Sequence, residues 1–370
     1  MKTVVDGRRA SLMLKYNGKE MGVEYLNKYL KEFNYTDAAP GDQDIISVTL
    51  DDRDANWQGT WKPVFGDKLI AEITVVNWDK QGEKAKLPCG SFEVDAIDIK
   101  GPPDEAIIQA SVLPLSGAQA KQEKRTKAWE KVKLETIADD IARRAKLKLV
   151  YSASSNPSYD RLDQSDQSDL PFLVKTAKDE GIAVKISGGK LVLFDEAEYE
   201  KKPAVLDIVR GKSKILNYSF SESSTATAYG SCIVTYRPPA PAKKAKKKGK
   251  GKGGKSEPKA VAAKTKTPKV IIGEYSLPNA KGLPVLRINE RVETVAEAKR
   301  LAKNKLREQN KQAGLATFTL DGDIRLASSV TVNVKGHGRF DGKYIIVSAT
   351  HKVGTQAYTT DIQIRKVLGW

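Results

Sequence analysis

Two cysteines and two histidines are all that 370 residues carry of the side chains that most often bind soft metals or act as tuned nucleophiles. Cys89 and Cys232 stand alone and far apart, each in an apolar or turn-flanked strand pattern. That excludes a disulfide framework or a CxxC metal site and predicts two reduced, buried thiols. His337 and His351 have no partners at metal-ligand spacing, which argues against a zinc hydrolase. A GxSxG elbow for a serine nucleophile is missing. The string GKGKGG lacks the spacing of a phosphate loop and the buried strand that precedes one. Asp160, Asp163, Asp166 and Asp169 recur every third residue, but without the central glycine and terminal glutamate of a calcium loop. They read as turn and capping residues. The expectation is therefore no enzyme, no cofactor and no metal.

Long apolar runs are also missing. Nothing approaches the roughly 18 consecutive apolar residues of a membrane span, and MKTVVDGRRASL has charge but no apolar core of a secretory signal. A protein made and kept in a cytoplasm, without membrane insertion, is expected. Hydrophobic residues at 40% and charged residues at 29% describe an ordinary folding chain, long enough for two or three domains.

The formal charge of +17 looks like a nucleic-acid signal until it is located. Between Pro241 and Lys269 twelve lysines face one glutamate, a net +11 that leaves +6 for the remaining 341 residues. The segment has no apolar periodicity and is rich in glycine, alanine and lysine, so it is expected to be a disordered, self-repelling loop. Lys243, Lys244, Lys246, Lys247, Lys248, Lys250, Lys252 and Lys255 are its candidate contacts to a polyanion such as DNA or to an acidic partner. It holds no aromatic residue and no arginine, so it lacks the stacking platforms of a dedicated single-strand binder. A plain solvated linker is the competing account.

The most patterned stretch runs from Thr126 to Asp195. Leu134, Ile137, Ala138, Ile141, Ala142 and Ala145 line one face of an amphipathic helix. KLKLVY follows as a strand, and a polar loop leads to Ser168 or Asp169 as cap of a second helix with Pro171 in its first turn. Leu170, Leu173, Val174 and Ala177 form its buried face, and Gly181 ends it. A hairpin turning at Gly188-Gly189 completes a small α+β module.

On either side the pattern has period two. Ile46, Val48 and Leu50, then Leu69, Ala71, Ile73 and Val75, then Phe92 and Val94, mark half-buried strands before residue 115. Trp57, Trp61 and Trp78 lie in or beside them and read as core or interface rather than as a sugar platform. Val330, Val332 and Val334 repeat the alternation near the other end. GSFEVDAIDIK (Gly90–Lys100) also aligns with GKYIIVSATHK (Gly342–Lys352), each with an aromatic two residues after the glycine and a closing lysine. Two related β-domains in one chain are expected. Thr294 and Glu297 form a capping box for a basic helix reaching about Gln312. Its Lys299, Arg300, Lys303, Lys305 and Arg307 are read as a solvated face. Strands on both sides of the Lys-rich segment can belong to one barrel.

The Lys-Ala-Trp strand, the helix Leu-x-x-Ile-Ala-x-x-Ile-Ala, QSDQSDLPFL (Gln164–Leu173) and the Gly-Gly hairpin together resemble the late-control-D family, the baseplate hub proteins of contractile phage tails. CGSFEVDAIDIKGPP resembles that family's tube-like N-terminal domain. The resemblance implies a mainly β fold with α+β, in which two tube-like antiparallel β-barrels flank the module. The expected boundaries are 1–115 for the first barrel and 116–202 for the module. Residues 203–370 form the second barrel, with the Lys-rich insertion at 241–269 and the helix near 294–312. The implied role is a structural hub, a homotrimeric ring adapting a sixfold tail tube to a threefold central spike. It is placed at the baseplate of a virion or tail-like particle and assembled in the host cytoplasm. Implied partners are central spike, tail tube, tape-measure and baseplate wedge proteins. The alternative is a peptidoglycan-binding or peptidoglycan-processing tail-tip protein.

Overall fold

The computed structural model describes residues 7–114, 117, 119–223, 228–238, 270–354 and 357–370. The Lys-rich segment at 241–269, with all eight candidate lysines, lies outside the described residues. The chain divides into two compact units, Met1–Thr227 with Asn310–Trp370, and Ala228–Gln309.

The first unit opens with β1 (Arg9–Tyr16) and β2 (Lys19–Glu20), turned at Asn17-Gly18, where both residues have positive φ. A short α1 (Val23–Tyr29) leads into β3 (Leu30–Asp37) and β4 (Ile45–Asp51). Then come β5 (Lys68–Val76), the long β6 (Lys84–Lys100) and β7 (Glu105–Ser111). The alternation read in the sequence is realised: Ile46, Val48, Leu50, Leu69, Ala71, Ile73, Phe92 and Val94 are all buried.

The α+β module follows. After α2 (Gln119–Gln122), β8 (Lys124–Lys133) leads into α3 (Leu134–Arg144), whose expected stripe is buried. The first amides of α3 are satisfied from outside the helix: Leu134 N donates to Pro157 O at 2.9 Å and Glu135 N to Asn156 Oδ1 at 3.2 Å. Next are β9 (Lys148–Tyr151) and β10 (Ser158–Ser168), then α4 (Asp169–Asp179) with Ser168 at its N-cap. The hairpin of β11 (Ile182–Ser187) and β12 (Lys190–Asp195) turns on Gly188 and Gly189, both at positive φ, and β9 pairs parallel to β12.

One segment differs from the sequence reading. The polar loop before Ser168 is in large part β10, which forms a two-stranded ribbon with β8. Most of its side chains are partly or fully exposed, so no hydrophobic alternation marked it as a strand. Asp160, Asp163 and Asp166 therefore sit on that strand. Asp169 is buried and accepts from Arg144 Nε at 2.7 Å, tying α4 to α3.

The chain returns through α5 (Glu196–Lys201), β13 (Leu206–Val209) and β14 (Ile215–Glu222). The second unit then holds β15 (Ser231–Tyr236), β16 (Ile271–Ser276), β17 (Val285–Asn289) and most of α6 (Val295–Asn310). β15 pairs antiparallel with β16, so the two strands bordering the Lys-rich segment are partners in a separate three-stranded sheet. α6 packs closely on it, since a Cβ at Gly273 would lie 2.3 Å from the Ala298 backbone. Half of the capping box is present: Glu297 N donates to Thr294 Oγ1 at 3.1 Å, while the Glu297 carboxylate accepts from the amide of Glu293, one residue before the cap, at 2.8 Å. The basic face of α6 is not all solvated: Arg307 is buried and Lys305 pairs with Glu290 at 2.9 Å, while Lys299, Arg300 and Lys303 are exposed.

The first unit resumes with β18 (Gly314–Asp321), β19 (Thr331–Lys335), β20 (Gly342–Gly354) and β21 (Tyr358–Lys366). One thirteen-stranded sheet results, in the order β14-β18-β21-β20-β3-β4-β7-β6-β5-β1-β2, with β19 on β20 and β13 on β19. No ladder closes either half among the described residues.

The sheet contains one five-strand block twice, β3-β4-β7-β6-β5 and β14-β18-β21-β20-β19. Their registers agree residue by residue. Phe92 faces Leu69 as Tyr344 faces Val332, and Gly90 faces Ala71 as Gly342 faces Val334. Ile108 faces Val48 as Ile362 faces Phe318. Even the bulges coincide. The β6–β7 ladder slips between Val94 and Ala96, opposite Ala110 and Gln109; the β20–β21 ladder slips between Ile346 and Ser348, opposite Ile364 and Gln363. The β3–β4 ladder slips between Leu30 and Glu32, and β14–β18 between Ile215 and Asn217. Gly90 and Gly342 have φ of +117° and +146°, a backbone that needs glycine. The alignment of Gly90–Lys100 with Gly342–Lys352 thus matches equivalent strands.

The cores differ in reach. The first block shares one continuous core with α3, α4 and the hairpin of the module. The second has its own, built from Ile208, Phe318, Val332, Tyr344, Ile362 and their neighbours.

Candidate functional site

The features that could do work in an assembled structure are the seam between the blocks, the strand edges that lack such a seam, and the charged anchors that hold both in place. At the seam, the second half of β20 pairs antiparallel with β3, from Ala349 opposite Asp37 to Gly354 opposite Glu32. The hydroxyls of Thr36 and Thr350 meet at 3.1 Å, and the rings of Tyr35 and His351 stack 6.0 Å apart. His351 also hydrogen-bonds Tyr358 OH at 2.7 Å and Leu326 O at 2.9 Å. Burial pushes the imidazole below its ordinary value, so it is held neutral. His351 is thus a satisfied core residue. Burial also pushes Cys89 up to about 12 and Cys232 up to about 11, which makes both thiols poor nucleophiles.

Two buried charge clusters fix the frame around the seam. Lys185 of β11 reaches Asp37, the Ala38 carbonyl at 2.7 Å and Asp44 at 3.3 Å. Asp37 in turn accepts from the Ser328 amide at 2.8 Å. One lysine therefore ties the module to the strand on which both blocks meet. The second cluster joins α5 to the second block: Arg365 donates to Glu196 at 2.7 Å and to Glu200 at 2.6 Å, and Lys311 pairs with Glu196. Burial alone pushes Glu196 up, but the charges of Lys311 and Arg365 override it and hold the carboxyl at about 2.

The β14 edge carries exposed apolar side chains. β14 ends the sheet order, and its Leu216 and Tyr218 are exposed. Beside it Tyr218, Phe220, Phe318, His337 and Phe340 form an aromatic cluster, with Phe220 stacked on Phe340 at 4.7 Å. A second exposed patch carries Trp61, Val64 and Phe65. The three tryptophans read from the sequence differ in setting, with Trp57 and Trp61 meeting edge to face at 6.0 Å and Trp78 elsewhere. Trp57 is buried and donates to Tyr25 OH at 3.1 Å, Trp78 donates to the Gly322 carbonyl with Arg8 over its ring, and Trp61 is exposed. They do not make one sugar-stacking platform. No group of three or more His, Cys, Asp or Glu that could hold a metal occurs among the described residues, and no described helix is long and apolar enough to cross a membrane.

The sequence reading missed the charge clusters and the seam partners Asp37, Thr36 and Thr350. Charged residues on strands carry no periodic signal that says they will be buried. The duplicated Gly-aromatic motif was the one available clue, since it marks β20 and β6 as equivalent strands.

The phage tail baseplate hub (GPD) family matches residues 94–357, from within β6 to the last hairpin. The chain belongs to that family. The hub relatives agree over nearly the whole length. The chain is 26% identical over 374 residues to a probable baseplate hub protein of Escherichia phage 186, covering 96% of this chain and 92% of the relative. It is 27% identical over 355 residues to the one of Escherichia phage P2, covering 90% and 88%. Among solved structures it is similar to a 43 kDa tail protein of prophage MuSo2 from Shewanella oneidensis, with TM-score 0.67 over 97% of this chain and 99% of the other. At 14% identity that likeness shows the fold alone. The hub is a structural part of the phage tail, located at the baseplate, and not an enzyme.

Proposed function

We propose that this hub protein works as a homotrimeric ring adapting a sixfold tail tube to a threefold central spike. The observation that carries it is the residue-matched duplication of the five-strand block within one chain. Three copies with two equivalent blocks each present six similar surfaces on one side and three whole chains on the other, which is the geometry of a symmetry adaptor. In this reading the blocks are tube-like domains, 1–115 and 203–370, flanking the module at 116–202. The tail tube protein meets the six blocks, and the spike, tape-measure and wedge proteins are the remaining partners. Assembly occurs in the host cytoplasm. The Lys-rich segment contacts DNA or an acidic partner without sequence preference. The direct test is mass: light scattering on the purified chain should give three times the 40.6 kDa chain mass, and a larger complex when the tube and spike proteins are added. A chain that stays single at high concentration and binds neither partner would overturn the reading.

A further inference from the structure

The duplication makes a prediction about β14 that the isolated chain leaves unmet. In the first block, β3 lies inside the sheet because β20 pairs with its outer side. β14 holds the same place in the second block, yet no described strand pairs with its outer side. Likewise, β6 is the counterpart of β20. The β5 ladder on β6 ends at Glu93, so among the described residues only β7 pairs with Ile97 to Lys100, and no described strand takes the side that β20 gives to β3. One chain therefore carries one completed seam and the two halves of a second.

The side chains point the same way. Phe33 of β3 is 0% exposed, while its counterpart Tyr218 of β14 is 39% exposed. His351 of β20 is 1% exposed, while its counterpart Ile99 of β6 is 42% exposed. Aromatic or aliphatic residues are thus retained at seam positions where this chain leaves them in water. An unpaired apolar strand edge is a pairing template that folded proteins normally cover.

We propose that β14 of one copy pairs antiparallel with Ile97–Lys100 of a second copy, in the register of the chain's own seam. Transferring that register through the matched ladders sets Ile97 opposite Glu222, Asp98 opposite Ser221, Ile99 opposite Phe220 and Lys100 opposite Ser219. Asp98 and Ser221 then replace Thr350 and Thr36 as the polar pair, with the hydroxyl donating to the carboxylate, and Ile99 covers the Tyr218 and Phe220 rings. The contact is head-to-tail, since β14 and β6 are different surfaces, and repeating it around an axis alternates the two kinds of seam. The inference rests on the ring reading and specifies which strands join its copies.

The test mixes two single variants, Asp98→Cys and Ser221→Cys, under mild oxidation. Thr36 and Thr350 hydroxyls meet at 3.1 Å in the existing seam, so these positions should cross-link between chains. Asp98→Cys with Ser219→Cys, two residues out of register, should cross-link about tenfold less. Linked peptides are identified by mass spectrometry, which separates them from Cys89 and Cys232. A second arm places a charge at each edge, Ile99→Lys and Tyr218→Lys. Both sites are solvent-facing in the single chain, so circular dichroism should stay unchanged, while the concentration for half-assembly should rise about tenfold or more. An assembled protein with equal cross-linking in and out of register, or assembly indifferent to both lysines, overturns the seam and leaves the ring. A chain that never assembles overturns both.

Discussion

β3 and β14 are the same strand twice, with the same bulge, the same Leu-Thr partners and an aromatic pair at matching positions, Phe33 and Tyr35 against Tyr218 and Phe220. In the first block these rings are buried on a strand that β20 covers; in the second they lie at the end of the sheet. Pattern determines which face of a strand is apolar. Neighbours determine whether that strand is a core or an edge. The same contrast holds at the last rung of the β7 and β21 ladders. Ser111 in the first block hydrogen-bonds the Leu113 carbonyl, while Arg365 in the second reaches two glutamates on α5.

The largest difference between the blocks should come from that rung. Arg365→Ala removes the cation that Glu196 and Glu200 share and leaves Glu196 its pair with Lys311; removing one partner of a buried pair typically costs about 3–5 kcal/mol. Ser111→Ala, at the equivalent position, should cost about 1 kcal/mol. Urea unfolding at neutral pH measures both, and equal losses would show that the clusters do not distinguish the blocks. The cluster also sets an acid limit. Because the folded Glu196 lies at about 2, below the ordinary carboxylate value, its stabilisation is complete above about pH 4.5 and lost as pH falls toward 2. Arg365→Ala should flatten that acid slope.

Phe33→Ala and Tyr218→Ala are the direct comparison of core and edge. The first should destabilise by about 3–5 kcal/mol through a core cavity. The second should change stability by less than about 1 kcal/mol in dilute, unassembled protein. A costly Tyr218→Ala under those conditions would mean that β14 is already covered within one chain.

His351 sharpens the comparison at the seam, since its counterpart Ile99 does not titrate. Burial depresses the folded imidazole below its ordinary value of 6.5, so the fold favours the neutral form. Stability is then complete above about pH 6.5 and declines as pH falls below it, with a slope of at most about 1.4 kcal/mol per pH unit. His351→Gln keeps hydrogen-bonding capacity and should remove this slope while leaving the carboxylate-driven loss at lower pH. Thermal melts at pH 7.5, 6.5 and 5.5 read it directly.

The smallest effect on folding is expected from deleting Lys243–Lys266, because the sequence there offers no apolar face to a core. Melting temperature and assembled mass should stay unchanged, while DNA binding at low salt weakens and loses most of its salt dependence. Unchanged DNA binding would remove the polyanion reading. Loss of soluble protein would make the segment part of the fold.

Much of the fold was legible because local chemistry writes it directly. Alternation named β4, β5, β6 and β19, spacing named α3 and α4, and Gly188-Gly189 named the hairpin turn. The gaps have a common cause. β10 carries no alternation because it is a largely solvated ribbon, and Arg307 sits on a helix face that reads as charged until burial is known.

What the sequence determined alone is the period and polarity of each segment, the need for glycine at 90 and 342, and the repetition of a motif across the chain. Those follow from backbone sterics and from which side chains water excludes, both local properties. Only the tertiary structure decided that β20 pairs with β3, that Lys185 and Arg365 become buried anchors, and that β14 is left at an edge. Each joins residues far apart in the chain, where no periodicity reaches and only the pairing of strands decides which apolar faces and charges meet.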